Sequence, residues 1–150
     1  MSLYSIALFV HIVGAMLLIV LLAFEGLSLR TGGAAARLNQ ILGPITLVAI
    51  LVPGFYMAFQ IGWHAWTEVG LAVYALIAAG GIYTGVSVIR GRMARSTATV
   101  SWLIRLGMAV GVVFDMTVKP ELAGSIAAVV VAVILALATA VPAVRRLQAA

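Results

Sequence analysis

The sequence predicts an all-α fold: a polytopic membrane helical bundle of five transmembrane helices, with the N-terminus outside and the C-terminus cytoplasmic. Three observations predict it. The first is composition: of 150 residues, 65% are hydrophobic and 9% charged, with a mean hydropathy of +1.23, whereas a soluble domain is roughly half apolar and a quarter charged. The second is the division of the chain into five apolar runs, each near the roughly 20 helical residues that cross a hydrocarbon layer about 30 Å thick. The third is the placement of the basic residues. Seven of the nine fall in three clusters, Arg30 with Arg37, Arg90 with Arg92 and Arg95, and Arg145 with Arg146. Enough apolar chain for two crossings separates consecutive clusters, and the positive-inside rule puts all three in the cytoplasm. Helices are chosen because backbone amides must be paired in lipid, and the ten-residue alternating segments of a barrel are missing.

The first run spans about residues 3–29. Ala34, Ala35 and Ala36 resemble a signal cleavage site, but no basic residue precedes the run and it is about twice the usual apolar length of a signal, so it reads as a retained helix. The second, 41–61, has Pro44 after Gly43 near its start and Pro53 before Gly54 inside it. Pro53 leaves the carbonyl near Ala49 without its helical donor, a kink that either packs harmlessly or opens a cavity. The third, 66–89, follows a short uncharged hairpin flanked by Trp63 and Trp66, and the fourth, 100–118, carries Trp102 near its cytoplasmic end; all three read as interfacial anchors. Pro120 opens the fifth run, 122–144, where a missing amide costs nothing. The whole chain is one domain.

Small residues predict where helices touch. Gly124, Ala128, Ala132, Ala136 and Ala140 recur every four residues in the fifth run, while Gly81 with Gly85 and Gly107 with Gly111 repeat that spacing in the third and fourth. Such stripes let backbones approach closely, either within the bundle or in a homo-oligomer or larger membrane complex.

Chemistry must come from the few polar groups at membrane depth, since each is costly there and tends to face the interior with a partner. They are His11, Glu25, Arg105 and Asp115, with Lys119 and Glu121 at the edge. His11 lies roughly 12 Å along the first helix at 1.5 Å per residue, and Glu25 follows with a net rotation of about 40°, so both fall near one face. Depth suggests a structural ion pair between Glu25 and Arg105; the alternative is that each snorkels to the headgroups. Asp115 and Lys119 stand four apart and so can pair, and Asp115 can also reach toward His11 from a neighbouring helix. His11 is either a hydrogen-bonded core residue or a ligand for haem or copper, with Met57 the nearest second ligand in depth and itself also readable as packing.

The segment Val10, His11, Ile12, Val13, Gly14 and Ala15 resembles the first helix of the CopD-like and HemJ-like families of small bacterial membrane proteins. Met116, Thr117, Val118, Lys119 and Pro120 resemble the Met-x-x-Lys-Pro ending of a related family of predicted integral membrane proteins of unknown function. The resemblance spans roughly residues 3–120 and implies a bacterial inner membrane location and haem b or copper at His11. It departs from HemJ-like enzymes in lacking their tryptophan and lysine motif, and from copper transporters in lacking methionine and histidine richness.

Three functions are compatible with these features. One is a haem-b-binding redox protein using His11, with Asp115 or Lys119 meeting a propionate or orienting the histidine. Another is a structural or accessory subunit, and the third is a copper-handling or small transport protein with a path near Pro53, His11 and Asp115. Basic residues clustered at helix ends do not make a nucleic-acid face. No catalytic triad, phosphate loop or zinc-spaced histidine pair occurs, and without cysteine there is no thiolate site and no covalent haem attachment.

Overall fold

The computed structural model describes the backbone of residues 2–31 and 35–148 and the side chains of 2–29 and 38–139. Five helices follow one another: α1 (Leu3–Thr31), α2 (Ala35–Ile61), α3 (Ala65–Ile89), α4 (Arg95–Val118) and α5 (Leu122–Gln148). All five contain a stretch long and apolar enough to cross a membrane. Arg30, Arg37, Ala140, Arg145 and Arg146, and the cleavage-like segment 34–36, lie outside the residues whose side chains are described.

Two helices begin earlier than hydropathy predicted. α2 starts at Ala35 rather than near 41, and α4 at Arg95 rather than near 100. Polar residues such as Asn39, Gln40, Ser96 and Thr97 belong to these first turns; hydropathy marks the apolar layer, whereas a helix continues as long as its backbone bonds are made. One end of the bundle holds the 90–94 turn, with exposed Arg90, Arg92 and Arg95, and is called the arginine end. The opposite end holds the α2–α3 and α4–α5 connections and is called the hairpin end.

The turns have simple causes. Gly62 and Gly91 adopt φ of 88° and 64°, a left-handed conformation that glycine reaches without a Cβ clash. At the α4 C-cap, Lys119 holds φ 54°, a conformation costing roughly 1 kcal/mol for a side-chain-bearing residue. Pro120 follows it and stops α4 from continuing.

α1 packs along α2, and α4 along both α5 and α3; α1 also meets α4, and α3 meets α5, whereas α2 touches α3 least. The buried core joins Leu22, Val73, Ile77, Ala109 and Val129 from α1, α3, α4 and α5. α2 contributes nothing to that cluster and stands to one side. The closest helix contact is between α4 and α5. A Cβ on Gly107 would lie 2.6 Å from Val133 Cα, and one on Gly111 2.7 Å from Val129 Cα, so these glycines admit the partner's backbone as expected of small residues in lipid.

The other small-residue positions differ in what they meet, Ala132 presenting its carbonyl 2.8 Å from the Cβ position of Gly107. Gly81 accommodates a side chain rather than a helix, since its Cβ position is 3.3 Å from Arg105 Nη1, and Gly85 meets nothing within 4 Å. On α5, Gly124 is exposed and meets only Pro120, while Ala128, Ala132 and Ala136 are half-buried. The buried line on this helix runs through Ser125 and Val129, one residue round from the stripe, because α4 supplies the gap through its own glycines.

Candidate functional site

His11 and Gly14 sit three residues apart on α1 and therefore on one face. His11 Nδ1–H donates to the Ile50 carbonyl at 2.9 Å, in the turn that Pro53 disrupts by withholding its own amide. Gly54 makes room for the ring, its Cβ position lying 3.2 Å from His11 Cε1, and Gly14 lets α1 approach, its Cβ position lying 3.1 Å from the Ala49 carbonyl carbon. The histidine and glycine of the first-helix motif thus dock α1 onto the kinked part of α2.

Glu25 faces a different neighbour. Arg105 Nη1–H donates to Glu25 Oε2 at 2.8 Å, and Nη2–H donates to Oε1. The paired fork buries the guanidinium almost completely, with 5% of the Arg105 side chain and 17% of the Glu25 side chain exposed. Gly80 and Gly81 on α3 leave space for the arginine stem and head. His11 against α2 and Glu25 against α4 do not share one interior polar face, because α1 lies between those two helices.

Trp102 is also placed differently from an interfacial anchor. Its Nε1–H donates to the Leu22 carbonyl at 2.7 Å, and a Cβ on Gly26 would lie 2.2 Å from the indole. It is a wedge joining α4 to α1 one turn from the ion pair. Trp63, by contrast, is exposed and meets Phe55 and Phe59 edge-on at the hairpin end, as suits a wet interface.

Asp115 and Lys119 make contacts other than the one expected with His11. Asp115 is fully buried beside the equally buried Ser125 hydroxyl, and Oδ2 lies 3.8 Å from the Cβ position of Gly70. It pairs with neither His11 nor Lys119. The Lys119 ammonium instead stands 5.2 Å from the centroid of Trp66, a cation–π contact that follows from the left-handed turn of its backbone. Met57 is a buried α2 residue. Among the described residues no three His, Asp or Glu side chains are grouped to hold a metal ion. Neither hydrogen bonding nor ion pairing joins Asp115 or Lys119 to His11, and we route no chemistry through haem b or copper.

The feature with binding geometry lies elsewhere, along the slack α2–α3 seam toward the arginine end. A crevice of about 420 Å³ is walled by α1, α2 and α3, with Arg105 of α4 at its back. Its walls are mainly apolar, including Leu18, Leu21, Leu47 and Ile77. The polar exceptions include Glu25, Arg105, Asn39, Gln40 and Tyr74. Asn39 Oδ1 and Arg105 Nε are buried without a partner, a costly condition that packing alone does not require. Pro44, another wall residue, leaves the Gln40 carbonyl without its usual helical donor. Gly43 and Gly85 border open space: a Cβ on either meets no atom within 4 Å.

The sequence reading missed this site for two reasons. Asn39 and Gln40 fell in a polar segment taken as a loop, and Tyr74 was passed over within an apolar run. A hydroxyl nine residues into a spanning helix was the available signal.

Compared with known proteins, the chain matches no family model, no curated protein and no solved structure.

Proposed function

We propose that the protein is a multi-pass membrane protein that binds a lipid-soluble small molecule in the α2–α3 crevice. The observation that carries this reading is the crevice itself: about 420 Å³, mainly apolar, with a few polar side chains among its wall residues. That volume lies within the roughly 300–1,000 Å³ of small-molecule sites, which combine apolar walls with a few placed polar groups. The seam lies between the two neighbouring helices that touch least, so a molecule dissolved in the bilayer enters sideways without crossing water. Exposed Arg90, Arg92 and Arg95 support a cytoplasmic arginine end by the positive-inside rule, with the N-terminus outside and the crevice in the cytoplasmic leaflet.

Gly85→Leu tests the reading directly. The side chain enters open space and replaces a poor helix former by a good one, a propensity gain of about 1 kcal/mol, so the bundle folds while the crevice is filled. A chain-tailed diazirine probe in phosphatidylcholine nanodiscs is expected to cross-link residues of the crevice in the wild type and to lose that labelling in Gly85→Leu. Labelling spread evenly over all lipid-facing residues, and indifferent to Gly85→Leu, contradicts the proposal.

A further inference from the structure

We infer that the molecule the crevice takes has a single apolar chain ending in an uncharged, oxygen-bearing head, with a carbonyl to accept and a hydroxyl to donate hydrogen bonds. This rests on the reading of the crevice as a binding site. Charge is the first argument. Among the described residues the wall carries one acid and one base, Glu25 and Arg105, and they satisfy each other through two hydrogen bonds. The remaining polar groups on that wall are amides and hydroxyls, among them Asn39, Gln40 and Tyr74. A phosphate or carboxylate head would enter a low-dielectric site in which the one cation among the described wall residues is already neutralised, and an uncompensated charge at that depth is strongly disfavoured.

Hydrogen-bonding capacity is the second argument. On the exposed Gln40 the side-chain amide is a donor to a carbonyl and the backbone carbonyl released by Pro44 an acceptor for a hydroxyl, while Tyr74, deeper along the crevice, adds a hydroxyl. These neutral groups reward a head with both functions. An apolar tail alone would leave them unused, and a site built to hydrogen-bond a head discriminates against one that lacks the partner atoms. Arg105 contributes by holding Glu25: the pair fixes the back of the crevice at zero net charge.

Two kinds of neutral lipid meet this description, a monoacylglycerol and an alkylated benzoquinol. Diazirine probes with the same tail and each of these heads are compared with the corresponding fatty acid at a pH where its carboxyl is ionised, using purified full-length protein in phosphatidylcholine nanodiscs. Expected is Gly85→Leu-sensitive labelling of crevice residues by at least one neutral probe, exceeding the fatty acid by roughly tenfold or more, as the cost of one unbalanced charge requires. Which neutral head labels better names the source.

Gln40→Arg places an uncompensated cation on an exposed crevice residue and is expected to raise fatty-acid labelling; Glu25→Gln, where it folds, does the same by freeing Arg105. Fatty-acid labelling equal to or above the neutral probes in the wild type overturns the inference while the crevice reading stands. If no probe gives labelling that Gly85→Leu removes, both fall.

Discussion

Arg105 is 4% exposed and remains tolerable inside a membrane bundle because its fork meets both oxygens of Glu25. Removing one partner strands the other, so Glu25→Gln or Arg105→Gln should each destabilise the fold by about 3 kcal/mol. The double variant Glu25→Gln with Arg105→Gln should recover part of that loss, read as thermal melting in detergent. Additive losses in the double variant contradict the pairing. Asp115 predicts the opposite response. It is fully buried with, among the described residues, no basic partner and only the Ser125 hydroxyl as a hydrogen-bonding neighbour, so Asp115→Asn keeps the shape, removes the acid and should leave the melting temperature unchanged or raise it. At His11 the bond to the Ile50 carbonyl predicts that His11→Ala lowers stability by about 1–3 kcal/mol, the usual cost of stranding a buried acceptor. Should the purified protein show a Soret band that His11→Ala abolishes, haem chemistry replaces the lipid-binding reading.

Among elements, the α4–α5 pair is the most tightly constrained. A Cβ on Gly107 or Gly111 would lie 2.6 or 2.7 Å from α5 backbone, and backbone cannot rotate aside as a side chain can. Gly111→Val should therefore part the helices and cost about 2 kcal/mol from overpacking, whereas Gly85→Val, bordering open space, should cost little. Equal losses at the two positions, measured in one detergent, contradict this packing. The four-residue glycine spacing was visible in both α3 and α4, yet it marks close helix contact in one and a side-chain recess plus a crevice wall in the other. Spacing reports that a face is smooth; what lies against that face is set by a partner distant in sequence.

At the level of the whole molecule, a core shared by α1, α3, α4 and α5 leaves α2 attached chiefly to α1, through His11 and Gly14. A crevice therefore opens beside α2 on the α3 side. The crossing topology has its own test: single cysteines introduced at Arg92 and His64 should be reached by an impermeant thiol reagent from opposite faces of the membrane, Arg92 from the cytoplasmic one. Labelling of Arg92→Cys from outside cells overturns the orientation and moves the crevice to the other leaflet.

The number of helices, their order and the chemical poverty of the membrane layer were decided by the sequence, because apolar length and the need to pair backbone amides are local properties of the chain. Depth is nearly local as well, since it follows from counting along a helix, and it is how Glu25 and Arg105 came to stand at one level. Direction around the helix axis is another matter. His11 turning to α2, Trp102 reaching Leu22, Asp115 remaining apart from Lys119, and the void beside Gly85 all depend on which helix stands on which side. In a chain this uniformly apolar, hydrophobicity marks no interior face, so close packing and the few polar contacts settled that arrangement, and with it the candidate site.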